Sequence, residues 1–425
     1  MNAEILKLEN VFSKIYGKDP ETLDLQYKRY DALATFFSEK FSDQDLHFFS
    51  TSGRTEIGGN HTDHNHGRVL AGCINLDSIA VAARNNSNRV TVHSIGYDTP
   101  FKVDLADMDA HEKEKGTTTA LIRGIASRLK KLGYQTGGFN AYITSDVLPG
   151  SGLSSSASIE VLIGTIFNSF FNENAIKPET IAIVGQYAEN NFFGKPCGLM
   201  DQVTCAMGGI ITIDFRDPQN PVIRKVNFDF DAQDYNLIVV DTGSTHADLT
   251  GDYASVPAEM KSVAQILGYN VCRDLSMKDL LDRIHELRSE AGDRALLRAI
   301  HFIGDNERVV KQVQALENND FNLFLDLVNE SGNSSYKRLQ NIYSPKNIRE
   351  QGVALALALT ENYLKEINTG ACRVHGGGFA GTIQVFLPER TVGKYTELIQ
   401  NVFGENSLHI LKIRPSGTLH LNPDV

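Results

Sequence analysis

Residues Leu148 to Ser158, LPGSGLSSSAS, run directly into the apolar segment IEVLIGTIF. Gly150 and Gly152 permit backbone conformations that residues with a Cβ atom resist. Beyond the serines, apolar residues recur at helical spacing: Ile159, Leu162, Ile163, Ile166, Phe167 and Phe170. A glycine turn that opens into a helix presents unpaired N–H groups and the positive end of the helix dipole. The stretch therefore predicts a phosphate-binding loop.

An ordinary serine-rich helix start is the alternative interpretation of this stretch, because serine is a favoured N-cap residue. A cap needs one serine, however, and it does not need paired glycines. The loop contains no lysine, and GxxxxGK[ST] occurs nowhere in the chain, so the loop is not of the Walker type. Backbone amides, serine hydroxyls, Mg²⁺ and residues from elsewhere would have to balance the charge of a nucleotide.

Composition indicates a folded protein with no broad nucleic-acid surface. The 425 residues are enough for two to three domains, and 41% are hydrophobic and 22% charged. A net charge of −11 argues against nucleic acid as a partner. The five cysteines form no CxxC pair, and we find neither a signal peptide nor an apolar run of membrane-spanning length. We expect a cytoplasmic protein that does not bind membranes.

Helical and strand patterns are mixed along the whole chain, which predicts the α+β class. Residues 4–41 have a helical pattern with a break at 16–20, and strands are predicted around 46–59, 69–86, 89–95, 100–105, 137–147, 209–215, 235–243 and 382–387. Residues 250–340 are mainly helical. The turn at Asp217–Pro221 predicts a domain boundary, with one lobe at 1–217 and the other at 218–425.

The densest polar cluster is NHTDHNH, from Asn60 to His66. A histidine-bound metal is one interpretation, although HxxHxH is not a standard zinc spacing and no cysteine lies nearby. Residues that cap a helix are a second. The third is a polar ligand site, because Arg54 together with Asn60, His61 and Asp63 offers donors and acceptors for sugar hydroxyls.

Two further segments are candidates. Gly376, Gly378 and Gly381 match GxGxxG, but a strand rather than a helix follows, which excludes a dinucleotide loop. The same segment contains HGGG, yet no GxSxG supplies an esterase nucleophile. It predicts a tight backbone crossing or a close approach to a ligand. Asp201, in an apolar and glycine-rich setting, is either structural or, beside a cation, a general base.

Taken in order, these clusters resemble the GHMP family of small-molecule kinases and, within it, the galactokinases. The resemblance spans about 50 to 390 and rests on four segments. They are GRTEIGGNHTDHN (53–65), the ATP loop GLSSSAS (152–158), PCGLMDQ (196–202) and GGGFAG (376–381). It implies two α+β lobes, a ribosomal S5 domain 2-like N-terminal lobe and a ferredoxin-like C-terminal lobe, with the active site between them.

The resemblance also implies roles for individual residues. Asp201 would take or orient the proton of the anomeric hydroxyl, Arg54 would pair with it, and Ser155 and Glu189 would hold Mg²⁺. The sugar pocket would contain Asn60, His61, Asp63, Gly198 and Tyr253. The ATP loop would comprise Pro149, Gly150, Ser151, Gly152, Leu153, Ser154, Ser155, Ser156 and Ala157. Phosphoryl transfer suits this set, because it needs positioning and charge compensation more than covalent chemistry.

The expected reaction is ATP-dependent phosphorylation of D-galactose at its anomeric hydroxyl, by a monomer whose partners are a sugar and ATP. The family signature has glutamate where this chain has Asn60, and tyrosine where it has His64. A neutral Asn60 would ease the entry of an anionic sugar, so a 1-kinase for galacturonate is an alternative. A sugar- and ATP-binding sensor without turnover is a third hypothesis.

Overall fold

Two β-sheets, built from segments rich in Val, Ile and Ala, form the framework of the protein. The computed structural model describes residues 3–42, 45–148, 151–243 and 249–422. Its strands are β1 (His47–Gly58), β2 (Arg68–Arg84), β3 (Arg89–Ser94), β4 (Phe101–Asp104), β5 (Phe139–Ser145), β6 (Ile210–Asp214), β7 (Val222–Val226), β8 (Tyr235–Asp241), β9 (Ala371–Val374), β10 (Thr382–Pro388), β11 (Leu408–Leu411) and β12 (Leu419–Leu421). All strands predicted from the sequence are present.

The larger sheet has eight strands and the smaller has four. The larger follows the order β12-β1-β2-β5-β3-β4, and β6 pairs with both β2 and β7. Its one parallel pair among the described strands is β3 with β5. The smaller sheet follows β11-β8-β10-β9 and is antiparallel throughout. The mixed fold with two sheets confirms the predicted α+β class.

Helices cover both sheets and fill most of the segment between β8 and β9. They are α1 (Ala3–Leu6), α2 (Glu9–Tyr16), α3 (Pro20–Lys40), α4 (Thr118–Lys131), α5 (Ser155–Asn172), α6 (Pro178–Ala188), α7 (Met200–Met207), α8 (Thr250–Ile266), α9 (Met277–Asp282), α10 (Ile284–Glu290), α11 (Asp293–Glu317), α12 (Phe321–Ser334), α13 (Gly352–Ile367) and α14 (Val392–Phe403). No helix within the described ranges has both the length and the apolar character that a bilayer crossing requires.

Local sequence explains where the main helices begin and end. The predicted break near residue 17 is present, because Gly17 takes φ +90° and Asp19 then caps α3 by accepting a hydrogen bond from the Thr22 N–H. The predicted helix after the glycine–serine stretch is α5. Its apolar residues are buried against the large sheet and against α4, α6 and α7.

The predicted boundary between residues 217 and 218 lies in the turn that joins β6 to β7. These two strands pair with each other in the large sheet, from Ile210–Val226 to Asp214–Val222. The chain also returns to that sheet at its other end, where β12 pairs with β1. Sheet membership therefore places β7 and β12 with the N-terminal lobe, and the division into 1–217 and 218–425 stays a prediction.

Candidate active site

Arg54, on β1, and Asp201, in the first turn of α7, form an ion pair although 147 positions separate them in the chain. The Arg54 Nε atom donates to Asp201 Oδ1 over 2.8 Å, and Nη2 lies 2.7 Å from the same oxygen. The Arg54 side chain is buried, while that of Asp201 is 32% exposed. The carboxylate therefore faces solvent space with a fixed cation behind it.

The glycine–serine loop lies directly against this pair. Ser154 donates from Oγ to Asp201 Oδ2 over 2.6 Å, and Arg54 Nη1 donates to the carbonyl of Gly152. Ser154 has φ +63°, a left-handed conformation that is uncommon for a residue with a Cβ atom. Strained residues of this kind cluster at functional sites. The conformation turns the Ser154 side chain toward Asp201 while the next residue starts α5.

The start of α5 suits an anion. The first N–H groups of a helix have no partner within it, and Ser154 precedes Ser155, Ser156 and Ala157 at that end. Behind the loop, Leu153 accepts from the Arg54 N–H at 3.0 Å and is fully buried. Pro149 and Gly150, the other two residues of the predicted ATP loop, lie outside the described residues.

The C-terminal glycine segment crosses the loop from the small sheet. His375 is buried, and its ring lies so near Gly152 that a Cβ atom there would be 3.2 Å from Nδ1. The Thr382 hydroxyl donates to the carbonyl of Ser151 at 2.9 Å. His375 also joins the two sheets, because its ring nitrogens lie 3.1 Å from the hydroxyls of Thr55 on β1 and of Thr382 on β10. The predicted tight crossing is present.

Two predicted sugar-pocket residues contact this crossing. His61 Nε2 donates to the carbonyl of Gly377 at 2.8 Å, which leaves Nδ1 as an acceptor. Burial lowers the pKa of His61 to about 4, so the ring is neutral near pH 7. The Tyr253 hydroxyl donates to the carbonyl of Gly378 at 2.8 Å, and a Cβ atom at Gly377 would lie 2.6 Å from the Tyr253 ring. The glycines thus let both side chains approach.

Asp63 and Gly198 also meet. The Asp63 carboxylate accepts from the His64 N–H at 3.0 Å, and its side chain is 15% exposed. A Cβ atom on Gly198 would lie 2.5 Å from Asp63 Oδ2, so only glycine fits without moving that carboxylate. Gly198 lies two residues before Met200, the first residue of α7, so Asp63 lies near the start of the helix that carries Asp201.

The environment of Asn60 argues against the sugar contact predicted for it, which stays a prediction. It is fully buried, and its side-chain amide donates to Glu56 Oε1 at 3.0 Å and to the carbonyl of Gly376 at 2.7 Å. Its side-chain oxygen accepts from Asn341 at 2.8 Å and from Ser335 at 3.2 Å. All four hydrogen-bonding positions are therefore used within the protein.

The family signature has a carboxylate at position 60, and in this chain the carboxylate is that of Glu56, which bonds to Asn60. Glu56 is buried beside Asn60, and its carboxylate pairs with Arg373 at 2.7 Å. A buried carboxylate, that of Glu56, is thus already present beside Asn60. Arg373 neutralises it, so this carboxylate is not open to a ligand. The substitution at position 60 gives no support to an anionic substrate.

Glu189, which the resemblance predicts to be a metal ligand, lies beside the start of α5. Its buried carboxylate accepts from Ser156 at 3.5 Å, and Lys195 Nζ lies 3.6 Å away. The structure thus pairs Glu189 with the residue after Ser155, the serine predicted to share the metal. In the described part of the chain no group of three His, Cys, Asp or Glu side chains could hold a metal. Mg²⁺ typically takes one or two carboxylates and completes its shell with phosphates and water, so this set fits a metal that arrives with a nucleotide.

Several residues of the site escaped the sequence analysis. His375 belongs to the HGGG segment and Gln202 to PCGLMDQ, and neither pattern indicates a role for these two side chains. Glu160 is a buried acid within the apolar run IEVLIGTIF. An acidic residue among buried apolar ones is unusual, and in the sequence this is the feature that indicates a special role. Arg373 and Glu56 alternate with apolar residues along strands, a position in which a charge requires a buried partner.

Comparison with known proteins gives consistent matches. The model of the GHMP kinases N terminal domain matches residues 120–209, and that of the galactokinase galactose-binding signature matches residues 35–84. A galactokinase from Glaesserella parasuis is 32% identical over 374 residues, 86% of this chain and 91% of the relative. One from Streptomyces coelicolor is 29% identical over 376 residues, 88% of this chain and 92% of the relative.

Solved structures share the fold. The Lactococcus lactis galactokinase complexed with galactose has a TM-score of 0.78 at 22% identity, covering 92% of this chain and all of that chain. The Methanococcus jannaschii mevalonate kinase has a TM-score of 0.60 at 17% identity, covering 86% and 98%. The two matching family models include the segments that carry Arg54, His61, Asp63, the loop at 151–157 and Asp201.

Proposed function

The chain belongs to the galactokinase family of GHMP kinases, and we propose that it phosphorylates D-galactose at the anomeric hydroxyl with ATP, giving galactose 1-phosphate and ADP. The observation that carries this proposal is the Asp201 carboxylate, held by Arg54 and Ser154 where the glycine–serine loop enters α5. A base, a cation and a helix N-terminus at one point are the parts that phosphoryl transfer requires.

Each part of the site has its own role in the transfer. Asp201 accepts or orients the proton of the anomeric hydroxyl, whose oxygen forms the new bond to the terminal phosphorus of ATP as the bond to ADP breaks. Arg54 keeps the Asp201 carboxylate in place and offsets charge that develops on the transferred phosphoryl group. The N–H groups at the start of α5 bind the phosphates.

Mg²⁺ would neutralise phosphate charge during the transfer. Glu189 and a serine hydroxyl at the start of α5, Ser155 as the family pattern has it, would hold the ion. Glu189 is buried and lies within reach of the Ser156 hydroxyl at this helix end. The protein supplies one carboxylate and leaves the remaining ligand positions to phosphate and water.

Galactose is the sugar that the site favours over galacturonate. His61 Nδ1 and the Asp63 carboxylate are acceptors, and acceptors suit the hydroxyl donors of a neutral sugar. Galacturonate would bring a second carboxylate to a site in which Arg54 and Arg373 are already paired with Asp201 and Glu56. No observation favours the anionic sugar.

A coupled assay of ADP release over a sugar panel tests the proposal. Galactose should give the highest kcat/KM, with glucose, mannose and galacturonate far lower. Good turnover of another sugar with none of galactose would end the galactose assignment. ATP binding without phosphoryl transfer to any sugar would instead support a sensor.

A further inference from the structure

Glu160 is a buried acid on α5 that the reaction described above does not use. It lies four residues after Ser156, hence on the same helix face and one turn deeper. Its exposure is 0%, and Gly185 of α6 packs so closely that a Cβ atom there would be 3.3 Å from Glu160 Oε2. Carboxylates at such depth require a compensating partner.

The partner of Glu160 is Gln202, which follows Asp201 on α7. The single amide nitrogen of Gln202 donates to Glu160 Oε2 at 3.0 Å and to Glu189 Oε2 at 2.9 Å. Gln202 is itself fully buried. Gln202 therefore connects the carboxylate of Glu189, the predicted metal ligand, to the buried carboxylate of Glu160.

The hydrogen bond between Gln202 and Glu160 leaves one oxygen of each side chain without a donor. Glu160 Oε1 and Gln202 Oε1 are both buried and have no hydrogen-bond partner. Two orphaned acceptors, on groups already bonded to each other, would both be satisfied by one proton between them. A carboxylic acid on Glu160 would turn Oε1 into a donor, for which the Gln202 amide oxygen offers an acceptor.

We propose that Glu160 is a positioning residue: as a neutral acid paired with Gln202, it holds the amide that orients Glu189 toward nucleotide-borne Mg²⁺. This role rests on the proposed kinase function.

The electrostatic surroundings agree with a neutral Glu160. Burial, and then the carboxylate of Glu189, raise the pKa of Glu160 well above its usual value. Asp201 acts in the same direction, and Lys195 acts against it from the surface.

Metal binding to the protein–ATP complex, without sugar, tests the proposal. Mn²⁺ binding measured by electron paramagnetic resonance serves as the readout, beside the Mg²⁺ concentration for half-maximal activity. Glu160→Ala should weaken Mn²⁺ binding roughly 10- to 100-fold, the usual range when a group that orients a metal ligand is removed. Binding of ATP in EDTA should stay within about twofold, since Glu160 reaches no phosphate position.

Glu160→Gln should restore Mn²⁺ binding to within about threefold of the wild type, because an amide can form the same paired hydrogen bonds with Gln202. Leu162→Ala, also buried on α5, is the control for lost packing and should leave metal binding unchanged. Metal binding as weak in Glu160→Gln as in Glu160→Ala would show that a charge is required and would overturn the neutral pair.

Normal metal binding in Glu160→Ala, or equal weakening in Leu162→Ala, would also overturn the positioning role. Failure of the proposed function is seen separately. A wild-type protein that binds Mn²⁺ with ATP but phosphorylates no sugar would end the kinase proposal, while the variants would still decide the role of Glu160.

Discussion

At the scale of single residues, Asp201 is the side chain on which the proposed chemistry depends most. Asp201→Asn preserves size and can keep the contact with Ser154, but the amide cannot accept a proton. We expect kcat to fall by roughly 10²- to 10⁴-fold, the usual contribution of a general base, with ATP binding nearly unchanged. Steady-state kinetics and nucleotide titration measure the two quantities.

Asp293→Asn is the matched control for this prediction. Asp293 also lies in the first turn of a helix and also pairs with an arginine, Arg288 at 2.6 Å, but it is on the surface. Its replacement should leave kcat unchanged. A kcat near the wild-type value in Asp201→Asn would remove the carboxylate from the mechanism.

Asn60 gives a second prediction at this scale. The Asn60 amide nitrogen lies 3.0 Å from Glu56 Oε1, so Asn60→Glu would bring a second carboxylate close to that of Glu56 and remove the donor to Gly376. An uncompensated buried charge costs roughly 3 kcal/mol or more, so the variant should lose stability rather than change its sugar preference. Urea unfolding and the sugar panel report the two properties.

The double variant Glu56→Asn with Asn60→Glu exchanges the two groups and restores a carboxylate–amide pair. It should recover much of the lost stability, because Arg373 can still reach a carboxylate in this cluster. A shift of the sugar preference away from galacturonate and toward galactose in Asn60→Glu would contradict the buried, structural role of Asn60.

At the scale of elements, the crossing of two glycine segments shapes the phosphate loop. Gly152 has φ +72°, and His375 lies directly beside it. Gly152→Val forces a Cβ branch into a left-handed conformation, which costs about 1–3 kcal/mol, and pushes the loop away from the crossing. We expect ATP affinity to fall roughly 5- to 150-fold, since each 1.4 kcal/mol is about tenfold.

Gly133→Val separates backbone strain from function. Gly133 has φ +88° just after α4, with no atom near its missing Cβ. The variant should lose similar stability but keep its ATP affinity, as thermal unfolding and nucleotide titration can show. Equal losses of ATP affinity in both variants would mean that strain alone, and not the loop, explains the effect.

At the scale of the whole molecule, half-buried histidines join distant parts of the chain. His420 on β12 bonds to His47 on β1 at 3.0 Å and to Ser169 on α5 at 2.9 Å. Burial, with a smaller effect of His47, lowers the pKa of His420 to about 4 from 6.5. The stability that the neutral ring contributes is therefore complete above about pH 6.5 and is lost as the pH falls toward 4.

His420→Gln removes this titration. The wild type should be more stable than the variant at neutral pH. The difference in the free energy of unfolding should shrink as the pH falls from about 6.5 to 4, with the slope that corresponds to the uptake of about one proton on unfolding. Urea unfolding at several pH values measures it. A difference that stays constant over this range would show that His420 does not titrate as the structure implies.

Much of the fold could be predicted because its signals are local. The period of α5, the alternation of β3 and the break at Gly17 lie within a few residues of chain, where sterics and hydrogen bonding act directly. β12 escaped prediction because a strand from Leu419 to Leu421 is too short for a pattern, and it exists only because β1 lies beside it. β9 is likewise too short for a pattern. The bridge made by Gln202 could not be predicted because it joins side chains from three separate helical segments.

For the site, residue types and their order by themselves predicted that a glycine–serine loop starts a helix. Through the resemblance to the galactokinases, they also predicted that Arg54, His61, Asp63 and Asp201 share one site. Only the tertiary structure decided that Asn60 is fully buried, that Glu56 carries the charge beside it, and that Glu160 and Glu189 share one amide. Motifs record which groups are present, whereas burial and hydrogen-bond partners depend on segments hundreds of residues apart, such as Asn60 and Asn341.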